Sequence, residues 1–355
     1  MRFLSTLSRV PRIIVTAGLL TALALAGTFA LDPFRNYQLA VVAATFCATA
    51  GLTLLIGLTG QLSLGHAVLM AAGGYGYALV VSPLADAGTG ALARFVLGLV
   101  GAVAVSGAVG LLLGLAAARL RGPYLAGLTL ALVIALPAIA SQLGALGGDQ
   151  GVRIPGDAVP DPLRTVMVLE QWQAWVAIVV TAVAVTPLAI LRSGKAGLRM
   201  RAVHGDEVAA RLGGIPAGRV KVGAFTASAV SAGLGGAILC FITQTVSPGG
   251  YGLAFSLLLV VAVVVGGLGS IGGAAIGAAL VTLLPWVIDT ITGALNVTSA
   301  VEQRLSGNLA IGVFGCLLIA VTVAWPGGLA GAVATRRARH RSPRPLSSHD
   351  LSRKR

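Results

Sequence analysis

Long apolar runs, separated by short polar segments, dominate the chain from its first residues to its last quarter. We mark ten of them, at residues 13–31, 37–58, 64–84, 92–118, 123–144, 173–191, 222–245, 253–267, 272–292 and 306–326. Most contain about 20 residues, enough for a helix rising 1.5 Å per residue to cross a hydrocarbon core of about 30 Å. The alternation typical of membrane β-barrel strands is not found. We therefore predict an all-α, polytopic transmembrane helical bundle of about ten spans, with eight or nine as alternatives.

Two glycine-rich stretches, 57–66 and 267–273, interrupt this pattern. The first contains Gly57-Leu58-Thr59-Gly60, and the second is preceded by Gly266 and continues through Gly267-Leu268-Gly269-Ser270. Glycine tolerates backbone conformations that end a helix. Broken or re-entrant helices are therefore the alternative to clean crossings at both places.

The charged residues predict how the spans are oriented. Lys and Arg next to spans stay on the cytoplasmic side, and an N-terminus placed inside puts most of the 25 basic residues inside. We expect a cytoplasmic N-terminus of residues 1–12, a transmembrane domain over 13–334 and a basic, disordered cytoplasmic tail over 335–355. Within the domain, residues 193–221 form a cytoplasmic loop and residues 145–172 an external loop.

The first apolar run follows three arginines, as the core of a signal peptide would. It is longer than the roughly 7–15 residues of such a core, and a good cleavage site does not follow it, so we expect a retained span.

The composition is typical of a membrane protein and argues against a soluble domain or a nucleic-acid-binding protein. Apolar residues make up 56% of the chain and charged residues only 10%, against about 25% charged residues in soluble domains. The net charge of +14 is concentrated beside spans, so we expect contacts with membrane lipids and no nucleic-acid partner. Three cysteines lie within apolar runs without CxxC spacing, which predicts neither a disulfide framework nor a metal site.

Polar residues inside the first glycine-rich stretch are candidates for a translocation pathway. Gln61, Ser63 and His66 would be costly in hydrocarbon unless they face protein or a water-filled path. Paired interrupted helices in the two halves of a transporter point to such a path. The candidate set is Gly57, Gly60, Gln61, Ser63, His66, Gly267, Gly269 and Ser270. The alternative is that the glycines only allow close helix packing, while the polar side chains bond to neighbouring backbone.

The inside loop contains a short predicted helix between basic segments. Asp206 and Glu207 would lie at its positive N-terminal end, and Gly213-Gly214 would stop it after Leu212. From the residues alone this helix is an ordinary loop helix on the cytoplasmic face.

Four stretches resemble the permease subunits of ABC importers for branched-chain and other hydrophobic amino acids, closest to the M-type of the two paired permeases. They are GLTGQLSLGHAVLMAAGGYGYAL, RLRGPYLAGLTLAL, HGDEVAARLGGIPAGRVKVGAFTASAVSAGLGGAI and VVVGGLGSIGGAAIGAALVTLLP. The four stretches occur in the order expected for the family. The first and third are the most specific, because glycine-rich apolar runs alone are common.

The resemblance implies a bacterial plasma (inner) membrane complex containing a paired homologous permease, two ATPase subunits and an external substrate-binding protein. It makes the short helix an ATPase coupling loop, comprising Asp206, Glu207, Ala209, Ala210, Gly213 and Gly214. Val208 stands where the general EAA pattern has its Glu, and Glu207 lies one residue earlier. The sequence has no Walker A pattern, so we expect no ATPase activity and no cofactor on this chain, with ATP and Mg on the partner ATPases.

The sequence leaves alternatives open for the transported solute and for the class of transporter. Urea, short amides or another small neutral solute are the alternative to branched-chain or other hydrophobic amino acids, because related permeases share these motifs. An ion-coupled secondary transporter is the alternative from another class. It normally needs a buried ionisable residue, and the predicted spans carry no Asp, Glu, Lys or Arg at their centres.

Overall fold

The computed structural model describes residues 9–120, 122–156, 159–160, 163–294, 315 and 328–331. This described part of the chain contains the α-helices α1 to α11 and one pair of two-residue strands. The helices are α1 (Arg9–Gly27), α2 (Pro33–Thr59), α3 (His66–Asp86), α4 (Ala91–Arg119), α5 (Pro123–Gln142), α6 (Leu169–Ser193), α7 (Lys195–Gly205), α8 (Glu207–Leu212), α9 (Ala217–Thr243), α10 (Leu253–Gly266) and α11 (Ile271–Ala294). The strands are β1 (Val152–Arg153) and β2 (Thr245–Val246).

Eight helical segments of the described residues are long and apolar enough to cross a membrane. They are Val10–Ala30, Pro33–Thr59, His66–Asp86, Ala91–Arg119, Pro123–Gln142, Leu169–Ser193, Ala217–Thr243 and Pro248–Gly266. A shorter apolar segment, Ile271–Val287 within α11, follows them. The prediction of a polytopic all-α bundle is confirmed. The tenth expected span, 306–326, and the tail, 335–355, lie outside the described residues.

Helices α2 and α9 form the centre of the bundle. Helix α2 packs against α6, α9, α10 and α11, and α9 also packs against α3 and α4. Small residues bring the two central backbones together: a Cβ atom on Gly51 of α2 would lie 2.6 Å from the carbonyl oxygen of Ser228 on α9. On α9, a Cβ atom at Gly235 would overlap the Ala44 carbonyl of α2. This close approach of helices through small residues is common inside membranes.

The ends of α2 follow from its sequence. Asp32 caps the first turn, since its side chain accepts a hydrogen bond of 3.0 Å from the backbone N–H of Arg35, and Pro33 occupies the first helical position. Both choices are typical of helix starts. At the other end Gly60 takes the left-handed conformation, with φ of 69°. Because glycine adopts that conformation without steric cost, it ends the helix there.

The loop after α5 meets the end of α9 in a short antiparallel ladder. Val152 pairs with Val246 and Arg153 with Thr245. The other end of α9 adjoins α8, so the ladder and the α7–α8 loop lie at opposite ends of this spanning helix. That loops 145–172 and 193–221 lie on opposite sides of the membrane stays a prediction.

Candidate functional site

The first glycine-rich stretch is a non-helical connection between α2 and α3. Residues 60–65 form neither helix nor strand, and α3 begins at His66. His66 Nε2 lies 3.5 Å from the Ser228 hydroxyl of α9, and Gly51 of α2 packs against the same Ser228. Helix α3 therefore starts level with Gly51, about 12 Å short of the end of α2 at 1.5 Å per residue. The connection folds back along the bundle, as the broken or re-entrant alternative expected.

Two hydroxyl groups hold this connection between α5 and α10. The Leu64 N–H donates to Thr129 Oγ1 at 3.0 Å, and Ser256 Oγ donates to the Leu64 carbonyl at 2.5 Å. Ser256 Oγ also accepts a hydrogen bond of 3.4 Å from the N–H of Ala67 in the first turn of α3. A Cβ atom at Gly65 would overlap the Thr129 carbonyl. Neither Thr129 nor Ser256 was in the predicted set, because nothing in the sequence marks single hydroxyls as partners of a distant loop.

Gln61 and Ser63 place buried polar atoms in this connection. Their exposed fractions are 5% and 1%, and the amide of Gln61 and the hydroxyl of Ser63 have no hydrogen-bond partner within the described residues. The same holds for Nδ1 of the fully buried His66. An unsatisfied buried polar group costs about 1–3 kcal/mol. Water or a polar solute could supply the missing hydrogen bonds, so these three residues remain candidates for a pathway.

The second glycine-rich stretch connects α10 to α11 and touches the first. Gly267 and Gly269 both have positive φ, of 114° and 73°. The Gly269 N–H donates to Thr53 Oγ1 on α2 at 2.9 Å, and a Cβ atom at Gly57 would overlap the Gly269 backbone. Gly57 and Gly269 thus serve close packing, which is the alternative that the sequence left open for the glycines.

Gly60 and Ser270 lie at the edges of the two connections. A Cβ atom on Gly60 would lie 3.3 Å from His204 Nδ1 in α7, so the end of α2 faces the α7–α8 loop. Ser270 Oγ accepts a hydrogen bond of 3.1 Å from the Gly273 N–H and caps the start of α11. This hydroxyl is engaged in a helix cap, a structural role.

The short helix α8 is closed at both ends by its own residues. Asp206 caps it by accepting hydrogen bonds from the N–H groups of Val208 and Ala209, at 2.8 and 3.0 Å. At the far end Gly214 has φ of 78°, and the Ile215 N–H donates to the Ala210 carbonyl at 2.9 Å. This is the Schellman arrangement, which needs a left-handed residue after the helix. The predicted helix and its stop at Gly213-Gly214 are confirmed.

Glu207 ties α8 to the first turns of α9. Its carboxylate accepts hydrogen bonds from Arg211 and from Lys221 Nζ, the latter at 2.7 Å. The hydrogen bond from Lys221, with the positive charges of both partners, holds the pKa of Glu207 below its usual range. Lys221 is only 8% exposed. Glu207 therefore fixes the loop helix to a membrane-spanning helix.

The two faces of α8 differ in exposure. Ala210 is buried against Val203 and Ala217, so it supports the loop from inside. The outward face includes Ala209, and its apolar residues Val208 and Leu212 are 61% and 85% exposed. Val208 and Leu212 were not among the predicted site residues, although their four-residue spacing places them on one helical face.

Among the described residues, cysteines and potential metal ligands add nothing further to the site. Cys47 and Cys240 are buried and free, and Cys316 lies outside the described residues. In the part of the chain that the structure describes, no cluster of three or more His, Cys, Asp or Glu side chains could hold a metal ion.

Comparison with known proteins gives one family match and two curated relatives. A family model described as "Branched-chain amino acid transport system / permease component" matches residues 34–322. The chain is 30% identical over 248 residues to the high-affinity branched-chain amino acid transport system permease protein LivM of Salmonella typhimurium. It is 29% identical over 252 residues to the protein of the same name from Escherichia coli. Both matches cover 62% of this chain and 55% of the relative, so the chain spans about half the length of these relatives. No solved structure matches the chain significantly.

Proposed function

Because the chain belongs to the family of permease components of branched-chain amino acid transport systems, we propose that it is the membrane-spanning subunit of an ABC importer. Its cargo is a branched-chain or other hydrophobic amino acid. The observation that carries this proposal is the family match over residues 34–322, which contains both glycine-rich connections and the α7–α8 loop.

The importer is completed by a paired homologous permease, two ATPase subunits with bound ATP and Mg, and an external substrate-binding protein. The chain lies in the inner membrane with the α7–α8 loop and both termini cytoplasmic. The exposed apolar pair Val208 and Leu212 supports the ATPase contact, since large apolar side chains exposed on a loop outside the membrane favour a protein partner. The ion pair between Glu207 and Lys221 gives this contact a rigid connection to α9.

Gln61 and Ser63 are the side chains best suited to meet the solute inside the membrane. An amino acid carries a carboxylate that accepts hydrogen bonds and an ammonium group that donates them. The amide of Gln61 can do both, and the Ser63 hydroxyl can do both as well. These neutral groups fit a zwitterion, whose net charge is zero, while the apolar interior suits its hydrocarbon side chain.

Reconstitution of the full complex in proteoliposomes tests the proposal. With its binding protein and ATP on the ATPase side, the complex should take up radiolabelled leucine, isoleucine or valine. A non-hydrolysable ATP analogue should stop uptake, and an imposed proton or sodium gradient should not replace ATP. Uptake of urea or acetamide without leucine would assign the chain to the neutral-solute alternative. Uptake driven by an ion gradient without ATP would overturn the importer assignment.

A further inference from the structure

An open apolar groove of about 850 Å³ lies where α4, α6 and α9 meet. Its walls include Leu111 and Leu115 of α4 and Val183 and Leu188 of α6. Its floor on α9 contains small residues: a Cβ atom at Gly223 would meet no other atom within 4 Å. Along α9 the lining extends from residue 218 to residue 234, about 24 Å at 1.5 Å per residue.

Positive charge is concentrated at one end of the groove. Arg219 lines it there, in the first turn of α9, and no other charged residue lines the groove within the described part of the chain. Arg192 lies in the last turn of α6, where its Nε is buried without a hydrogen-bond partner among the described residues. The like charge of Arg201 repels its guanidinium group. Glu207, the nearby acid of α8, is already paired with Arg211 and Lys221. This end of the groove therefore offers cations that have no acidic partner among the residues that the structure describes.

We propose that the groove binds an acidic phospholipid, with an acyl chain along α9 and the phosphate at Arg219. An apolar groove that opens within a bilayer is filled either by a lipid chain or by protein. The charge pattern favours lipid, because the cation lies at one end, at the start of a spanning helix where headgroups lie, and the lining beyond it is almost wholly apolar. Basic residues near the membrane surface attract acidic headgroups by about 1 kcal/mol each. The second permease is the alternative occupant, and cross-linking from position 223 distinguishes it from lipid.

Native mass spectrometry tests whether the groove holds an acyl chain. The sample is the full-length chain, purified with the subunits that accompany it. The probe is phosphatidylglycerol, offered in detergent together with phosphatidylcholine. Gly223→Phe places a ring in the open groove. Gly127→Phe on α5 is the matched control, since a Cβ atom there also meets nothing within 4 Å. We expect the unmodified chain and Gly127→Phe to retain one phosphatidylglycerol that Gly223→Phe loses.

A second pair of variants tests whether Arg219 binds the phosphate, without changing the apolar part of the groove. Arg219→Gln should lower the preference for phosphatidylglycerol over phosphatidylcholine about fivefold, the factor for one basic residue near an anionic headgroup. Arg199→Gln on α7, which is exposed and does not line the groove, should leave the preference unchanged.

Three results would overturn the proposal. The first is an unmodified chain that retains no phosphatidylglycerol, and the second is equal retention by Gly223→Phe. The third comes from Gly223→Cys in the assembled complex: cross-linking of this cysteine to the second permease, with no cross-linking to a thiol-reactive lipid, would identify protein as the occupant.

Discussion

The carboxylate of Glu207 is paired with an amine that is almost completely buried, and this pair predicts a local stability effect. Glu207→Gln leaves the Lys221 ammonium without its counter-charge, which should destabilise α8 by about 1.5–3 kcal/mol, the usual value for a hydrogen bond to a charged group. Hydrogen exchange at the α8 amides should accelerate accordingly. Adding Lys221→Met should restore protection, because replacing both partners of a buried pair is close to neutral. Unchanged exchange in the single variant would contradict this.

The same pair predicts a dependence on pH. The folded-state pKa of Glu207 lies below its usual range, which is near 4.3 in unfolded chains. The stabilisation is therefore complete above about pH 4.3 and is lost as the pH falls through the lower folded-state pKa. Exchange at the α8 amides, corrected for its intrinsic pH dependence, should stay constant from pH 8 to pH 5 and increase only below that window.

Gln61 and Ser63 allow pathway and packing roles to be separated. Gln61→Leu removes polar atoms that have no partner within the described residues, so the thermal stability of the detergent-purified protein should not fall. If these atoms meet the solute, leucine uptake should fall about tenfold for a lost hydrogen bond of about 1.4 kcal/mol. Leu62→Met, on the exposed side of the same connection, is the control. Unchanged uptake in Gln61→Leu and Ser63→Ala would show that the connection does not line the path.

The contact between the two glycine-rich connections predicts sensitivity to a single methyl group. Gly57→Ala places a Cβ atom on the Gly269 backbone, which must move, and overpacking of this kind commonly costs about 1–3 kcal/mol. The melting temperature of the purified complex should fall. Gly272→Ala in α11 is the matched control, since a Cβ atom there meets no other atom within 4 Å. A stable Gly57→Ala variant would show that the two connections separate easily.

The elements themselves could be predicted from sequence, but their contacts could not. Apolar runs of about 20 residues identify spans, and the Asp206 cap and the Gly214 stop define α8, because these signals act within a few residues of the chain. The meeting of Gly57 with Gly269 joins residues more than 200 positions apart. No local pattern specifies which glycine of α2 faces which glycine beyond α10.

The faces of α8 show the same limit in a smaller element. Six residues give fewer than two turns, so the sequence does not show which side a neighbouring helix covers. The structure buries Ala210 against Val203 and Ala217. Ala210 therefore supports the loop rather than offering a surface to a partner, and a large side chain there should disturb the loop itself.

The proposed importer requires ATP hydrolysis on one chain to move helices in another. In the proposed importer, three parts of this chain would transmit the motion: the outward residues Val208 and Leu212, the pair Glu207–Lys221 and the central helix α9. A partner bound to the outward face of α8 would move α9 through the ion pair between Glu207 and Lys221.

Leu212→Asp tests the proposed transmission of motion from an ATPase to α9 at the most exposed apolar residue of α8. Leu212 is almost fully exposed, so a carboxylate there should leave insertion, melting temperature and lipid content unchanged while opposing an apolar contact with the ATPase. Co-purification of the ATPases and substrate-stimulated ATP hydrolysis should both decline, and leucine uptake should be lost. Leu198→Asp, an exposed leucine on the neighbouring helix α7, is the control for added charge outside the α8 face. Normal co-purification and uptake in Leu212→Asp would show that α8 is only a connector and would remove the structural support for ATPase docking at this loop.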